Sequence, residues 1–484
     1  MATMLLDPIA CYQALRARDA RFDGRFFVGV SSTRIYCRPV CTVKPPQQKN
    51  CTFYPSAAAA EVAGYRPCMR CRPELAPGNA SVDATARLAH TAAGLIEDGL
   101  LNEGSIEQLA QRLGVTDRHL RRVFQSELGV SPVEYAQTHR LLLAKRLLTD
   151  TPLSVTGVAM ASGFGSLRRF NALFRARYRL SPSDLRKRLT STGVPDVLTF
   201  QLGYRPPLDW TRLLEFLAKR SIEGVEQIEG NRYLRTVRFR LGDVQHAGWV
   251  AVMPAKRKPT VEVEMSPSLV GAIPAVLGRV KRLFDLACNP AEISAALGQL
   301  ALPRPGLRLP GAFDGFEIAV RAVVGQQITV KAARTIVGRF AACFGETIET
   351  PAHALRTLFP SATQIAQIAY SDIAANGILS ARAKTIIALA QAIADGDLVL
   401  EPGADVERTI ERLRAVPGVG EWTAQYIAMR ALSWPNAFPH TDYGVLKAMG
   451  EKNPKVALVR AAEWQPWRAY AVIHLWNSLE VAQP

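Results

Sequence analysis

No apolar run in the 484 residues is long enough to cross a bilayer, and the first residues lack the basic, apolar and small-residue segments of a secretory signal. A cytoplasmic protein without membrane attachment is therefore expected. Cysteine is sparse, eight in the whole chain, which excludes a disulfide-stapled scaffold. Low-complexity tracts and chain-long repeats are missing too, so fibrous, solenoid and wholly disordered classes fall away. Acidic residues are in deficit: 42 Asp and Glu stand against 59 Lys and Arg, giving a formal charge of +17 and a pI near 9.7. That excess says little about fold and much about partners, and nucleic acid is the first polyanion to consider.

With 48% hydrophobic residues the chain can build real cores, and its length implies about two to four domains. Residues 1–76 are rich in Cys and Pro and leave through "RPELAPGNAS" (72–81). Residues 82–187 show helical periodicity with Arg clusters and end before "TSTGVPD" (190–196). Residues 197–280 hold alternating runs such as "RYLRTVRFRL" (232–241) and "TVEVEM" (260–265), which read as strands. From 281 to 484 the pattern is helical, with breaks at "PRPGLRLPG" (303–311) and "VPGVG" (416–420).

Six of the eight cysteines lie within the first 71 positions. "YCRPVC" (36–41) and "RPCMRC" (66–71) set Cys37, Cys41, Cys68 and Cys71 in two short pairs, the arrangement a tetrahedral Zn2+ site of four thiolates needs. Cys11 and Cys51 could in principle replace a ligand but lack a close partner. Zinc would supply folding free energy to a domain too small to be secure without it. Four thiolates on Zn2+ carry net negative charge, so an ordinary phosphodiester is repelled while a neutral methylated phosphate can approach. A sulfur that took the methyl would lose its charge, and DNA affinity would rise. Arg38, Lys44, Lys49, Arg66, Arg70 and Arg72 are expected to draw DNA to the cluster. Cys288 and Cys343 stand alone and read as small buried hydrophobes.

"SIEQLAQRLGVTDRHLRRVFQSELGVSP" (105–132) and "SVTGVAMASGFGSLRRFNALFRARYRLSP" (154–182) each give a helix, a glycine turn and a second, Arg-bearing helix. Ala110 and Gly114 recur at Ala159 and Gly163, 49 positions on, whereas Phe124 and Ser131 recur at Phe174 and Ser181, 50 positions on. The second unit therefore holds one extra residue. Two recognition helices in one chain can enter successive major-groove faces without a dimer, so a monomer is expected. Arg118, Arg121, Arg122, Arg168 and Arg169 are the candidate DNA contacts, to base edges or to phosphates.

In "VPGVG", Gly418 and Gly420 let backbone amides face outward at a helix N-terminus, where a DNA phosphate can sit. Trp422, Tyr426, Trp434 and Asp442 follow. A lone Asp after "FPHT" is commonly a helix cap. Beside aromatic faces it suits different chemistry. A flipped, positively charged alkylated base stacks on the rings, and the carboxylate stabilises charge developing on the sugar.

"FFVGVSSTRIYCRPVC" with "AGYRPCMRC" resembles the N-terminal domain of the Ada family, which accepts methyl groups from DNA methylphosphotriesters; Tyr36 stands where Phe is commoner. That resemblance implies Cys37 as the methyl-accepting nucleophile of a Zn2+ site completed by Cys41, Cys68 and Cys71. Residues 82–187 resemble the AraC-type DNA-binding domain, which implies a transcription activator with promoter DNA and RNA polymerase as partners. The stretches "RPPLDWTRLLEFLAKRSIEGVE" (205–226), "RPGLRLPGAFDGFE" (304–317), "RAVVGQQITVKAA" (321–333) and "WQPWRAYAVIHLWN" (464–477) resemble the AlkA-like branch of the helix-hairpin-helix DNA glycosylases. This likeness implies Asp442 as catalytic residue, Trp422, Tyr426 and Trp476 as pocket aromatics, and 3-methyladenine and related bases in alkylated double-stranded DNA as substrate.

Departures carry information as well. Bifunctional relatives place Lys where this chain has Trp422, so a monofunctional glycosylase is implied. Gln327 occupies the DNA-wedge position where Leu is common, and Leu208 stands where an aromatic occurs. The "PCHR" motif of the second Ada methyltransferase is missing, as are four C-terminal cysteines for an iron-sulfur cluster. The expected fold class is multidomain: a small zinc-bound α+β domain, an all-α double helix-turn-helix domain, and a glycosylase with a mixed α/β layer and a helical body. Two other readings stand beside it: a non-enzymatic DNA-binding regulator, and a glycosylase whose N-terminal domains only localise it.

Overall fold

The computed structural model describes residues 7–77, 84–186 and 196–481. Residues 78–81 of the first linker and 190–195 of the second lie outside the described residues.

The first module is built on four short strands: β1 (Phe27–Val30), β2 (Ile35–Cys37), β3 (Cys51–Tyr54) and β4 (Arg66–Pro67), in the order β3-β1-β2-β4. Strand β1 runs antiparallel to both neighbours and is buried along its whole length, because both faces of the sheet are covered. Val28 points toward Cys11, Leu15 and Phe26, under the helix Pro8–Ala17; Phe27 points to Tyr36, Ala57, Ala60 and Tyr65, under the helix Ala57–Val62. Cys37 thereby ends β2, and Cys68 follows directly on β4, its parallel neighbour.

The second module is all helical. Capping fixes its two helix-turn-helix units: Ser105 and Thr116 cap Ile106–Arg112 and Asp117–Leu128, and Ser154 and Ser166 cap Val155–Ala161 and Leu167–Tyr178. Both recognition helices have twelve residues. The extra residue of the second unit sits in its turn, where Phe164 and Gly165 replace the single Val115 between glycine and cap. Gly114 and Gly163 both adopt positive φ, at 69° and 80°.

Beyond residue 196, β5 (Leu198–Gly203), β6 (Glu226–Glu229), β7 (Arg232–Leu241), β8 (Val244–Pro254) and β9 (Thr260–Met265) form an antiparallel sheet in the order β5-β9-β8-β7-β6. The apolar stripe Trp210, Leu213, Leu214 and Leu217 of the helix Trp210–Ala218 packs into the core over this sheet. The helical body follows and carries one element not expected from sequence, a two-stranded ribbon of Glu346–Thr347 and Thr357–Leu358. Strands two residues long have no period to read in sequence.

The modules are not beads on linkers. Leu141, Leu147 and Phe174 of the helical module share one core with Phe200, Val250 and Val263 of the sheet. Arg205, 1% exposed, donates to the Asp23 carbonyl of the first module at 2.7 Å and to the Ala287 carbonyl of the helical body at 2.8 Å. A side chain at Gly203 would lie 2.1 Å from the Leu75 carbonyl oxygen, so only glycine permits that approach. Lys281–Glu97 and Arg282–Asp98 pairs join the helical module to the body.

Glu61 is buried where the first module meets the second. Its carboxylate accepts from Tyr36 Oη at 3.0 Å and from Thr138 Oγ1 and Tyr178 Oη at 3.4 Å. Burial pushes this carboxyl from 4.5 up to about 7, against the opposing pull of Tyr36 and Arg177. As pH rises from about 4.5 to about 7 the unfolded chain releases this proton and the folded chain keeps it, so stability declines through that window and stays low above it. Glu61→Gln retains the shape without the titration and is expected to gain up to about 3 kcal/mol at pH 8 relative to pH 5. Calorimetric Tm values at the two pH values check this; a gap between variant and wild type that is the same at both would contradict it.

Candidate functional site

The sulfurs of Cys37, Cys41, Cys68 and Cys71 all lie within 4.8 Å of one another. A tetrahedron of sulfurs about 2.3 Å from Zn2+ has edges near ~3.8 Å, so the four fit that ion. Cys37, Cys41 and Cys68 are buried, and Cys71 is the most exposed of the set. Their environments differ. The backbone amide of Arg38 donates to Cys71 Sγ at 3.4 Å.

Two of the six basic residues expected to attract DNA are engaged elsewhere. Arg38 is 8% exposed, pairs with Asp23 through Nε at 2.8 Å, and donates to the Cys71 carbonyl at 3.1 Å. Arg72 bridges Glu74 and Asp150 at 3.0 and 2.6 Å. Lys44, Lys49 and Arg70 remain exposed, with Arg66 half-buried. Of the two isolated cysteines, Cys288 is buried as expected, whereas Cys343 is exposed, on a helix face that turns away from the core.

Arg118, Arg121 and Arg122 are exposed along the first recognition helix, and Arg168 and Arg169 along the second. Their buried faces explain this: Leu120, Val123, Phe124 and Leu128 in one, Phe170, Phe174 and Tyr178 in the other, point to the core. The Arg-bearing faces are therefore turned to solvent.

Asp442 caps the helix Tyr443–Ala448, accepting from the Val445 amide at 2.9 Å. The cap and the site are the same group. Its Oδ2 also accepts from Trp422 Nε1 at 2.8 Å, and its Oδ1 from Trp476 Nε1 at 2.9 Å. Trp422 stacks on Tyr426 with centroids 5.2 Å apart and planes 15° apart, and Tyr426 tilts toward Trp476 at 6.5 Å. Arg430, buried behind them, donates to Tyr426 Oη at 2.9 Å. Burial would raise the Tyr426 phenol, but Arg430, Arg220 and Arg321 together hold it below its usual range. Trp434 packs, partly buried, on the helical core as Trp422 and Trp476 do, and Leu208 packs, partly buried, on the sheet core.

The hairpin lies between helices Val406–Ala415 and Glu421–Arg430. Gly418 has φ +88°, and a side chain there would meet Thr385 Oγ1 at 2.2 Å; Gly420 caps the second helix with open space beside it. Gln327 is exposed at the tip of a nearby turn, with φ +55°.

Phe216 joins the site without having been expected there. It stacks on Trp476 with centroids 6.3 Å apart and planes 16° apart, and the Arg220 and Arg430 guanidinium groups lie over its ring at 3.8 and 5.0 Å. The sequence does hold a signal for it: Phe216 falls about 120° off the Trp210, Leu213, Leu214, Leu217 stripe of its helix, so its ring enters the core only in part. Gln326 is a second addition, polar and half-buried beside the more exposed Gln327.

Four families match the chain in order: the metal binding domain of Ada over residues 10–74, a helix-turn-helix domain over 109–188, the AlkA N-terminal domain over 199–314, and the HhH-GPD superfamily of base excision DNA repair proteins over 320–453. The chain is 37% identical to the "probable bifunctional transcriptional activator/DNA repair enzyme AlkA" of Mycobacterium tuberculosis, covering 97% of this chain and 96% of that one. It is 34% identical to the DNA-3-methyladenine glycosylase 2 of Escherichia coli, over 57% of this chain and 96% of the relative. The Escherichia coli "bifunctional transcriptional activator/DNA repair enzyme Ada" is 33% identical over 32% of this chain and 42% of its own length. The near full-length match to the first and the four families in series place the chain in the AlkA-type family of bifunctional transcriptional activators and DNA repair enzymes, with Zn2+ as cofactor.

Proposed function

We propose that Cys37 is the sulfur that takes a methyl group from a DNA methylphosphotriester, and that Asp442 drives hydrolysis of the N-glycosidic bond of 3-methyladenine and related alkylated bases. The observation that carries the second role is the carboxylate held by two indoles at the foot of an aromatic wall beside a hairpin suited to phosphate. With three N–H bonds already accepted, the carboxylate is better suited to face developing positive charge at C1′ than to take a proton from water. As the C1′–N bond breaks its electron pair leaves with the base, and water adds to C1′ and gives up its proton to solvent. Trp422 offers no amine for a Schiff base, so the product is an abasic site.

For Cys37 the supporting observation is its place in the four-sulfur cluster, at the end of β2, within the segment that matches the metal binding domain of Ada. Zinc supplies thiolate character to the set when bound. Sulfur attacks the methyl carbon, the C–O bond breaks, and the electron pair stays on the phosphate oxygen as an ordinary phosphodiester forms. We read Trp422, Tyr426 and Trp476 as the base-stacking set, Gln327 as the wedge, and Gly418 and Gly420 as the phosphate contact. Arg118, Arg121, Arg122, Arg168 and Arg169 are assigned to promoter DNA. The same reading makes RNA polymerase a partner of a monomeric, cytoplasmic chain divided at 76, 187 and 280.

One experiment tests both chemistries. Incubated with alkylated duplex DNA containing methylphosphotriesters, the protein should release free 3-methyladenine and carry one methyl on the peptide containing Cys37. No free base would remove the glycosylase role, and a methyl on Cys71 instead would reassign the nucleophile.

A further inference from the structure

We infer that Gln326, braced by Arg382, is the positioning residue that makes the wedge turn, the hairpin and the pocket wall one rigid unit; this rests on Gln327 being the wedge. The helix Gly315–Val324 ends in a turn whose tip, Gln327, is an L-residue held at φ +55°. That conformation is sparsely populated for a side chain of this size and has to be imposed by neighbours.

Two side chains hold the turn and a third holds the hairpin beside it. From the helix Ser380–Ala394, the Arg382 guanidinium donates to the carbonyls of Val324 and Gln326, at 3.3 and 2.5 Å, fixing the turn from behind. One turn along the same helix, Thr385 Oγ1 donates to the Pro417 carbonyl at 2.8 Å, fixing the hairpin. Gln326 ties the two together: its Nε2 donates to the Gly418 carbonyl at 3.0 Å and to Thr423 Oγ1 at 2.9 Å. Thr423 follows Trp422, the residue that holds Asp442. A single amide thus reaches the phosphate grip, the first residue past the pocket wall and, through its own backbone, the wedge. Gripping the phosphate then fixes how far Gln327 projects into the duplex, which couples binding to flipping.

Four proteins test it: wild type, Gln326→Ala, Gln327→Ala and the double variant. Single-turnover base release is measured from a duplex and from the same lesion in a single strand, where little unstacking is needed. The duplex-to-single-strand ratio is expected to fall about tenfold in Gln326→Ala, and about as far in Gln327→Ala. The double variant should be no worse than Gln327→Ala, since one acts through the other. Gln326→Glu keeps the size but cannot donate to the Gly418 carbonyl, and should match Gln326→Ala while thermal melting reports whether each variant is folded. Equal losses on both substrates, or additive losses in the double variant, would overturn the inference. An unchanged ratio in Gln327→Ala would remove the wedge reading and this inference with it.

Discussion

Asp442→Asn is expected to slow release of alkylated bases by about a thousandfold, measured under single-turnover conditions, with duplex affinity changed only a few-fold. Two effects combine. The negative charge facing C1′ disappears, and with it the stabilisation of a transition state that carries positive charge. In addition, the new amide nitrogen is a donor, and it must face an indole that also donates. Oδ1 receives both Trp476 and the Val445 cap, so the clash falls on the Oδ2 side, at Trp422. A donor facing a donor in this half-buried place costs about 1–3 kcal/mol and should turn the Trp422 ring from its stack on Tyr426. Retained base release would show that Asp442 is a cap and no more.

Cys37→Ala is expected to abolish methyl transfer from methylphosphotriesters and the rise in DNA affinity that follows it. In the wild type, transfer removes one negative charge from the cluster. We expect an affinity gain on the order of tenfold near physiological salt, larger at low salt, as a charge effect within a Debye length requires. Because Cys37 is also a zinc ligand, the variant alone confounds chemistry with folding. The salt dependence of the methylated wild type separates them: loss of cluster charge changes affinity strongly with ionic strength, whereas a folding defect does not. An affinity unmoved by methylation would leave Cys37 as a repair acceptor without a switch.

Much of the site is legible in the chain itself. Metal-ligand spacing is local, so "YCRPVC" and "RPCMRC" announce their cluster without reference to distant residues. Helix-turn-helix units are likewise local, and the offset of 49 passing to 50 residues announces an insertion. Its location in the turn comes only from the structure. Asp442 is legible as a candidate, but sequence offers cap and catalyst as alternatives, and the fold makes them compatible by giving each oxygen its own donors.

What the sequence determined by itself are the features whose partners lie within a few turns of chain: the four thiols, the capped recognition helices, the glycine hairpin, and Trp422 in place of lysine. What the tertiary structure decided are the roles set by residues far apart. Asp23 claims Arg38, removing it from the DNA-facing charge; Trp476 and Phe216, 260 positions apart, close one wall; Arg205 locks the first module to the last. Charge, hydrogen-bonding capacity and ring faces are properties of single residues, but what they are used for depends on which neighbour folding brings within about 3 Å, and no local pattern records that.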